Sequence, residues 1–287
     1  MSILIKPLET PRELSACQRL QTDTCQGSPF LLVPALVALH RSNGLILGAV
    51  DGQEKLLGAI VDLAAQDPAA PSFFTAFRAV NAERRNKGII TRLRRHERDL
   101  AIGRGVVLCR WPIDPLRSVE AHVAFNKLGA IAVGYERDLY GELLNSRNEG
   151  MATDRVIVEW WLTSPRVEAV IDRQMLPHHF HLGLDKMEVA THTSPTDDGH
   201  RHIIRFDSAV CSGVTKNAAV LIEIPARLDS IRTDNLDLAR DWRLRTRDIF
   251  EQMFDAGYII TGLVHQGGRS FQLFERQSKS AILERPS

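Results

Sequence analysis

The stretch Phe73 to Arg104, FFTAFRAVNAERRNKGIITRLRRHERDLAIGR, places a basic, glycine-bearing turn between an apolar run and an amphipathic segment. A strand that feeds directly into a helix N-terminus leaves several backbone N–H groups without partners at one point. Those donors, together with the positive end of the helix dipole, bind anions and phosphates in particular. The turn here is Arg85-Asn86-Lys87-Gly88-Ile89-Ile90. Gly88 lets the backbone approach a ligand closely. Successive N–H groups from about Asn86 to Thr91 form a nest for a pyrophosphate, and Arg85 and Lys87 add charge around it. Taken alone, a turn of the form R-x-x-G-x is a weak signal.

Residues 84–98 hold seven Arg or Lys and one acid, Glu97, in a chain whose formal net charge is +1. Any electrostatic function is therefore local, and no global field draws nucleic acid or a membrane to the protein. At roughly 100° per residue, Ile89, Ile90, Leu93, Leu100 and Ala101 share one arc. Arg92, Arg94, Arg95 and Arg98 fall opposite them. The pattern predicts an amphipathic helix with a basic outer face, ended by Gly103. Aromatics interleaved with the basic positions, which a nucleic-acid surface would need, are absent. His178, His179, His181, His192, His200 and His202 crowd a polar segment, but no cysteine or H-E-x-x-H pattern accompanies them, so no metal is expected. The four cysteines are scattered, which speaks against zinc ribbons and disulfide frameworks. With no signal peptide in view, this favours a reducing cytoplasm. The apolar run Phe30–Leu39 is shorter than the about 20 residues a bilayer span requires.

The elements that position the turn follow from patterning. Ile3 to Leu8 reads as a strand. Thr10-Pro11 opens a helix to about Gln26, with Thr10 as its cap. Leu45 to Val50 and Leu56 to Leu63 are strands around Asp51-Gly52. Gln66 to Pro71 reads as a loop, and Phe73 to Val80 as the strand before the turn. After the basic helix come a strand from Val106 to Ile113, a helix from about Ser118 to Leu128 capped by Gly129, and strands Ile131–Tyr140 and Arg155–Leu162. The order is a mixed α/β pattern. Beyond Thr163-Ser164-Pro165 the texture changes. Pro177–Gly199 is polar; strand Ala218–Ile224, helix Leu236–Ala256, strand Tyr258–Val264 and strand Ser270–Glu275 follow. Two domains are expected, residues 1–165 and a smaller C-terminal α+β domain, residues 166–287.

Strand, R-x-x-G-x-G/A turn and helix together resemble the acyl-CoA-binding motif of the GNAT acyltransferase superfamily. Trp111-Pro-Ile-Asp-Pro-Leu116, Ala121-His122, Phe125-Asn-Lys-Leu-Gly-Ala130, Tyr135, Tyr140-Gly141, Leu144-Asn145 and Asp154-Arg-Val-Ile-Val-Glu-Trp160 resemble one predicted-acetyltransferase subgroup with a W-x-x-D-P-L element. The resemblance spans residues 3–162 and extends more loosely to Glu223-Ile-Pro225, Trp242-Arg243 and Gly257-Tyr258. It implies a mixed, mostly antiparallel sheet flanked by helices. It also implies acetyl-CoA or another acyl-CoA as co-substrate, held by Val80, Asn81, Ala82, Arg85, Asn86, Lys87, Gly88, Ile89, Ile90 and Thr91. The strand before the turn would pair with pantetheine, with the Val80 amide facing the thioester carbonyl, and the next strand would splay away. The chain departs from the pattern at Ile90, where the turn has a small residue, and at Phe125, where many relatives carry a tyrosine that protonates the leaving thiolate. It departs again at Ala76-Phe77 and Glu120.

Acyl transfer to an amine needs a neutral amine, a polarised carbonyl and a thiolate that leaves as a thiol. Asp114, His122, Glu97 and Glu120 are candidate bases. Tyr135 and Tyr140 are candidate acids in place of the missing tyrosine. The expected catalytic set is Asp114, His122 and Tyr140. Trp111 and Asn126 are candidate substrate contacts, and Arg155 is a candidate partner for a substrate carboxylate. The expected partner is a small-molecule amine, for which some similar proteins suggest an amino acid. No nucleic acid or membrane is expected, and a homodimer is compatible with the sequence. A non-catalytic acyl-CoA-binding sensor or scaffold is the alternative.

Overall fold

The structure, a computed structural model, describes residues 3–25, 29–67, 70–85, 87–141, 148–173, 175, 187–212 and 219–285. The described residues pack as two compact units, one ending at Trp111 and one beginning at Pro112. This partition by packing differs from the division at 165/166 read from sequence texture. Each unit is mixed α/β, with a mostly antiparallel sheet and flanking helices.

The first unit contains β1 (Leu4–Pro7), α1 (Pro11–Cys25), α2 (Val33–Arg41), β2 (Leu45–Val50), β3 (Leu56–Asp67), β4 (Ala70–Val80), α3 (Ile89–Gly103) and the start of β5 (Leu108–Ile113). Its strands lie in the order β1-β2-β3-β4-β5, antiparallel except for β4 with β5. Thr10 caps α1 as expected: its hydroxyl accepts from the Glu13 N–H while Glu13 accepts from the Thr10 N–H, a reciprocal capping box. Leu14, Cys17 and Leu20 of α1 join Leu36 and Leu39 of α2 over Ile46, Ala59, Val61 and Phe77. The helix α2 was not anticipated; Pro34 sits in its first turn, where a missing N–H costs nothing. Of the expected loop at 66–71, Gln66, Asp67, Ala70 and Pro71 are instead strand, and residues 68–69 lie outside the described residues. β3 and β4 continue pairing through Asp67↔Ala70, because Pro71 sits at the start of β4, where a strand tolerates proline.

The second unit contains α4 (Ser118–Ala121), which runs on as a π-helical turn (His122–Lys127), then β6 (Ile131–Glu136), β7 (Arg155–Trp161), α5 (Pro165–Ile171), β8 (Glu188–Val189), β9 (Thr191–Pro195) and β10 (Arg201–Phe206). β11 (Ala219–Ile224), α6 (Leu228–Asp234), α7 (Leu236–Asp255), β12 (Ile259–Gln266), β13 (Arg269–Glu275) and α8 (Lys279–Glu284) complete it. Its sheet runs β7-β6-β12-β13-β11-β8, antiparallel except for β11 with β8, and β9–β10 form a separate hairpin. The long helix α7 buries Ala239, Trp242, Arg243, Thr246, Ile249, Phe250 and Met253. Phe250 meets Phe274 of β13 edge-on at 5.0 Å between ring centres. The helix expected at 118–128 is present, wound for six residues as a π-turn. β9 falls in the stretch read as merely polar, and its partner β10 lies just beyond it. Among the described residues, no helix is long and apolar enough to cross a membrane.

Candidate functional site

The first unit has the strand, turn and glycine-capped helix where the sequence placed them. β4 pairs with β3 as far as Val80↔Gly58, but with β5 only at Ser72↔Leu108, Phe73↔Cys109 and Phe74↔Arg110. From Thr75 onward β4 has no described β5 partner, so the two strands part as expected. A bulge falls at the same place: Thr75 and Phe77 pair with Asp62 and Val61, leaving Ala76 as the extra residue that bends β4. The Asn81 N–H donates to the Leu57 carbonyl of the β3 side at 2.8 Å. Successive amides of an extended chain face opposite edges, so the Val80 N–H is directed to the edge that β5 has left.

After Val80 the chain makes one short 3-10 turn, Ala82–Arg84, capped by the Asn81 side chain accepting from the Glu83 N–H. The amides of Arg84 and Arg85 donate within this turn, to the Asn81 and Ala82 carbonyls, so both are spent locally, as the Asn81 N–H is on Leu57. Gly88 then takes φ 74° and ψ 8° as the cap of α3 and offers no side chain to the helix end. The first helical bond is Arg92 N–H to the Gly88 carbonyl. The N–H groups of Ile89, Ile90 and Thr91 therefore find no acceptor among the described residues, as a helix end requires of its first donors. A Cβ built on Gly88 would meet nothing within 4 Å, so the space over this cap is open. Lys87 is exposed beside it, as is Arg85; Ile90 is half-buried and Ile89 is buried. Asn86 lies outside the described residues.

The helix behind the turn is not basic on its outer face in the way the sequence suggested. Arg94, Glu97 and Arg98 are buried, and only Arg92 and Arg95 of the four arginines are exposed. The buried arc is wider than the apolar arc because the neighbouring strands supply polar partners. Arg94 donates to Glu97 at 2.7 and 2.8 Å and to Thr75 of β4 at 3.0 Å, with both ionic side chains fully enclosed. Its guanidinium lies 4.0 Å over the Trp111 ring. Asp62 of β3 is also fully buried, and neither carboxyl oxygen has a hydrogen-bond partner. Burial first, then the Glu97 charge, hold the Asp62 carboxyl well above the usual carboxylate range. Glu97 is engaged by Arg94 and is not exposed to a substrate amine. Trp111 is 1% exposed, with Arg94 over its face.

The other singled-out residues lie in the second unit. Asp114, just past β5, is buried and accepts from the Leu116 N–H and from Arg243 Nη2. Burial pushes its carboxyl up, but Arg243, Arg117 and Arg155 together pull it below its ordinary value, which makes it a poor general base. Asn126, on the π-turn, ties down β12: its Nδ2 donates to the Leu263 carbonyl at 2.7 Å and its Oδ1 accepts from the Leu263 N–H at 3.0 Å. That pair fixes the amide orientation, so the 3.2 Å contact from Nδ2 to His122 Nδ1 is a donation to the ring. His122 therefore carries its proton on Nε2. Burial, then Lys127 and His265, lower its pKa and keep the ring neutral. His122 is thus suited to donate a hydrogen bond and not to act as a base through Nε2. Phe125 is completely enclosed. Tyr135 donates to Asp154 at 2.7 Å, and burial with that bond pushes its phenol far up. Tyr140 is exposed, 5.4 Å from the Arg155 guanidinium. Arg155 bonds the Asp154 carbonyl and Asn148 Oδ1 and forms no ion pair with a described carboxylate.

Arg243 was quoted in the sequence only as part of a loose resemblance. The available signal was its place on the apolar arc of α7. His178, His179 and His181 lie outside the described residues, as do Leu144 and Asn145. His200 pairs with Asp234 and His192 with Arg205, and no group of three metal-binding side chains occurs among the described residues.

No family model matches the chain, and no curated protein matches it. Among solved structures it is similar to the acetyltransferase of GNAT family from Streptococcus pneumoniae, at 15% identity over 55% of this chain and 98% of that one, with a TM-score of 0.46. It is similar to the ribosomal-protein-S18-alanine N-acetyltransferase from Escherichia coli at 16% identity over 55% and 92%, TM-score 0.46. It is similar also to IAA acetyltransferase from Bacillus cereus ATCC 14579 at 17% identity over 55% and 98%, TM-score 0.43.

Proposed function

We propose that the chain is an N-acyltransferase that moves an acetyl or other acyl group from acyl-CoA to a small amine by direct attack on the thioester. The observation that carries this is the arrangement along one strand: an edge of β4 opened by the departure of β5, leading into a glycine-capped helix with three orphan N–H groups. The open edge offers amides to an extended chain such as pantetheine, and the helix end offers donors to a pyrophosphate. In this proposal the Val80 N–H polarises the thioester carbonyl, while Ile89, Ile90 and Thr91 with Lys87 and Arg85 hold the pyrophosphate. His122, neutral with a proton on Nε2, is a hydrogen-bond donor and not a base in this proposal. The amine is deprotonated through solvent, since Asp114 and Glu97 are committed to arginines. The domain division at 165/166 remains part of the proposal.

A second possibility is a non-catalytic acyl-CoA sensor. It is favoured by the enclosed Phe125 and by the engagement of Tyr135 with Asp154. Release of free thiol from acetyl-CoA and succinyl-CoA against a panel of primary amines separates the two. Amine-dependent release supports transfer, and tight CoA binding with no release across the panel supports the sensor.

A further inference from the structure

Two buried side chains of α7 in the second unit carry polar atoms without partners among the described residues. Arg243 is 2% exposed. Its Nη2 bonds both oxygens of Asp114 at 2.8 Å, yet its Nε and Nη1 have no partner among the described residues. One turn along α7 on the same buried face, Thr246 is 1% exposed and its hydroxyl is also unpartnered among them. Arg155 acts on Asp114 as well and forms no ion pair with a described carboxylate. A guanidinium does not lose its proton in a protein, so these donors cannot be relieved by titration. Unpartnered buried donors of a charged group are costly, and a bound anion satisfies them.

We infer that Arg243, with Thr246 and Arg155, forms a binding site for the carboxylate of a small molecule. A carboxylate oxygen can accept from Nε or Nη1 and from the Thr246 hydroxyl at once. The site stands on the second unit alone and does not depend on acyl transfer. Two sources share this chemistry: the carboxylate of an amine acceptor, or a free carboxylic acid acting as effector.

Calorimetry on the full chain without acyl-CoA tests it, using 3-phenylpropanoate, both enantiomers of phenylalanine, acetate and the matching amides. At least one carboxylate binds saturably, and its amide binds at least about tenfold more weakly. Arg243→Lys, which keeps a charge beside Asp114 but loses Nε and Nη1, lowers the affinity by a similar factor. If that variant does not fold, Thr246→Val, which conserves shape, decides: affinity falls severalfold with an unchanged unfolding midpoint. Preference for phenylalanine over 3-phenylpropanoate supports the site with an acceptor as its source, and equal binding supports it with a free acid. Absence of saturable carboxylate binding, equal binding of acid and amide, or unchanged affinity in a folded Arg243→Lys chain overturns the site, leaving these donors to buried water.

Discussion

Gly88 holds the left-handed conformation that an L-residue adopts at a cost of about 1–2 kcal/mol. Since a Cβ there would meet no neighbour, that backbone term is the whole stability cost of Gly88→Ala. A urea titration should show a loss of roughly 1 kcal/mol, and the shifted helix end should weaken CoA. Asp62 behaves in the opposite sense to most carboxylates. Its folded pKa is raised by burial and by Glu97, so the folded state binds a proton that the unfolded state gives up above about pH 4. The stability it allows is therefore fully present at lower pH and declines as pH rises toward the folded pKa. Asp62→Asn has no carboxyl to titrate and should remove that decline. Its urea midpoint should exceed that of the native chain more at pH 8 than at pH 5, and a constant difference would contradict the raised pKa.

The helix α3 joins the ligand turn at its start to the Arg94–Glu97 pair along its buried face. Breaking one partner of such an enclosed pair costs about 3–5 kcal/mol, while replacing both with apolar residues of similar volume costs far less. Arg94→Met should show the larger loss by urea denaturation and Arg94→Met/Glu97→Leu should recover most of it. Additive losses would show that the two side chains do not act as a pair. This element also shows what patterning can and cannot see. The strand, turn and helix around Gly88 were legible because glycine and the alternation of apolar runs mark backbone geometry directly. The burial of Arg94 and Arg98 was not, because a helical wheel takes residue type as a stand-in for burial, and here Thr75, Glu97 and Trp111 make an arginine welcome inside. Arg243 on α7 escaped for the same reason. The π-turn at His122–Lys127 carries Asn126, which bonds Leu263, a tie between residues far apart in sequence that local patterning does not see. A half-buried His122 whose Nδ1 accepts from Asn126 could not be anticipated without that tie.

Across the whole molecule, net charge is near neutral and the buried charges sit in separate clusters. Asp114, Asp154 and Glu275 are all held below their ordinary pKa by arginines, and Asp154 and Glu275 also by side-chain hydrogen bonds, against the cost of burial. Groups of this kind stabilise the fold fully above about pH 4 and lose that contribution as pH falls through their folded values. Thermal midpoints should drop steeply below pH 4. Asp114→Asn should be less stable than the native chain at pH 7 but flatter across the acid limb. In the proposed function the turn from β4 into α3 binds the pyrophosphate of coenzyme A. Calorimetric titration of the native chain with CoA and with pantetheine, which lacks that pyrophosphate, tests it most directly. Saturable one-site binding of CoA, with pantetheine at least about tenfold weaker, is the predicted result; equal affinities, or no binding of CoA, would contradict it.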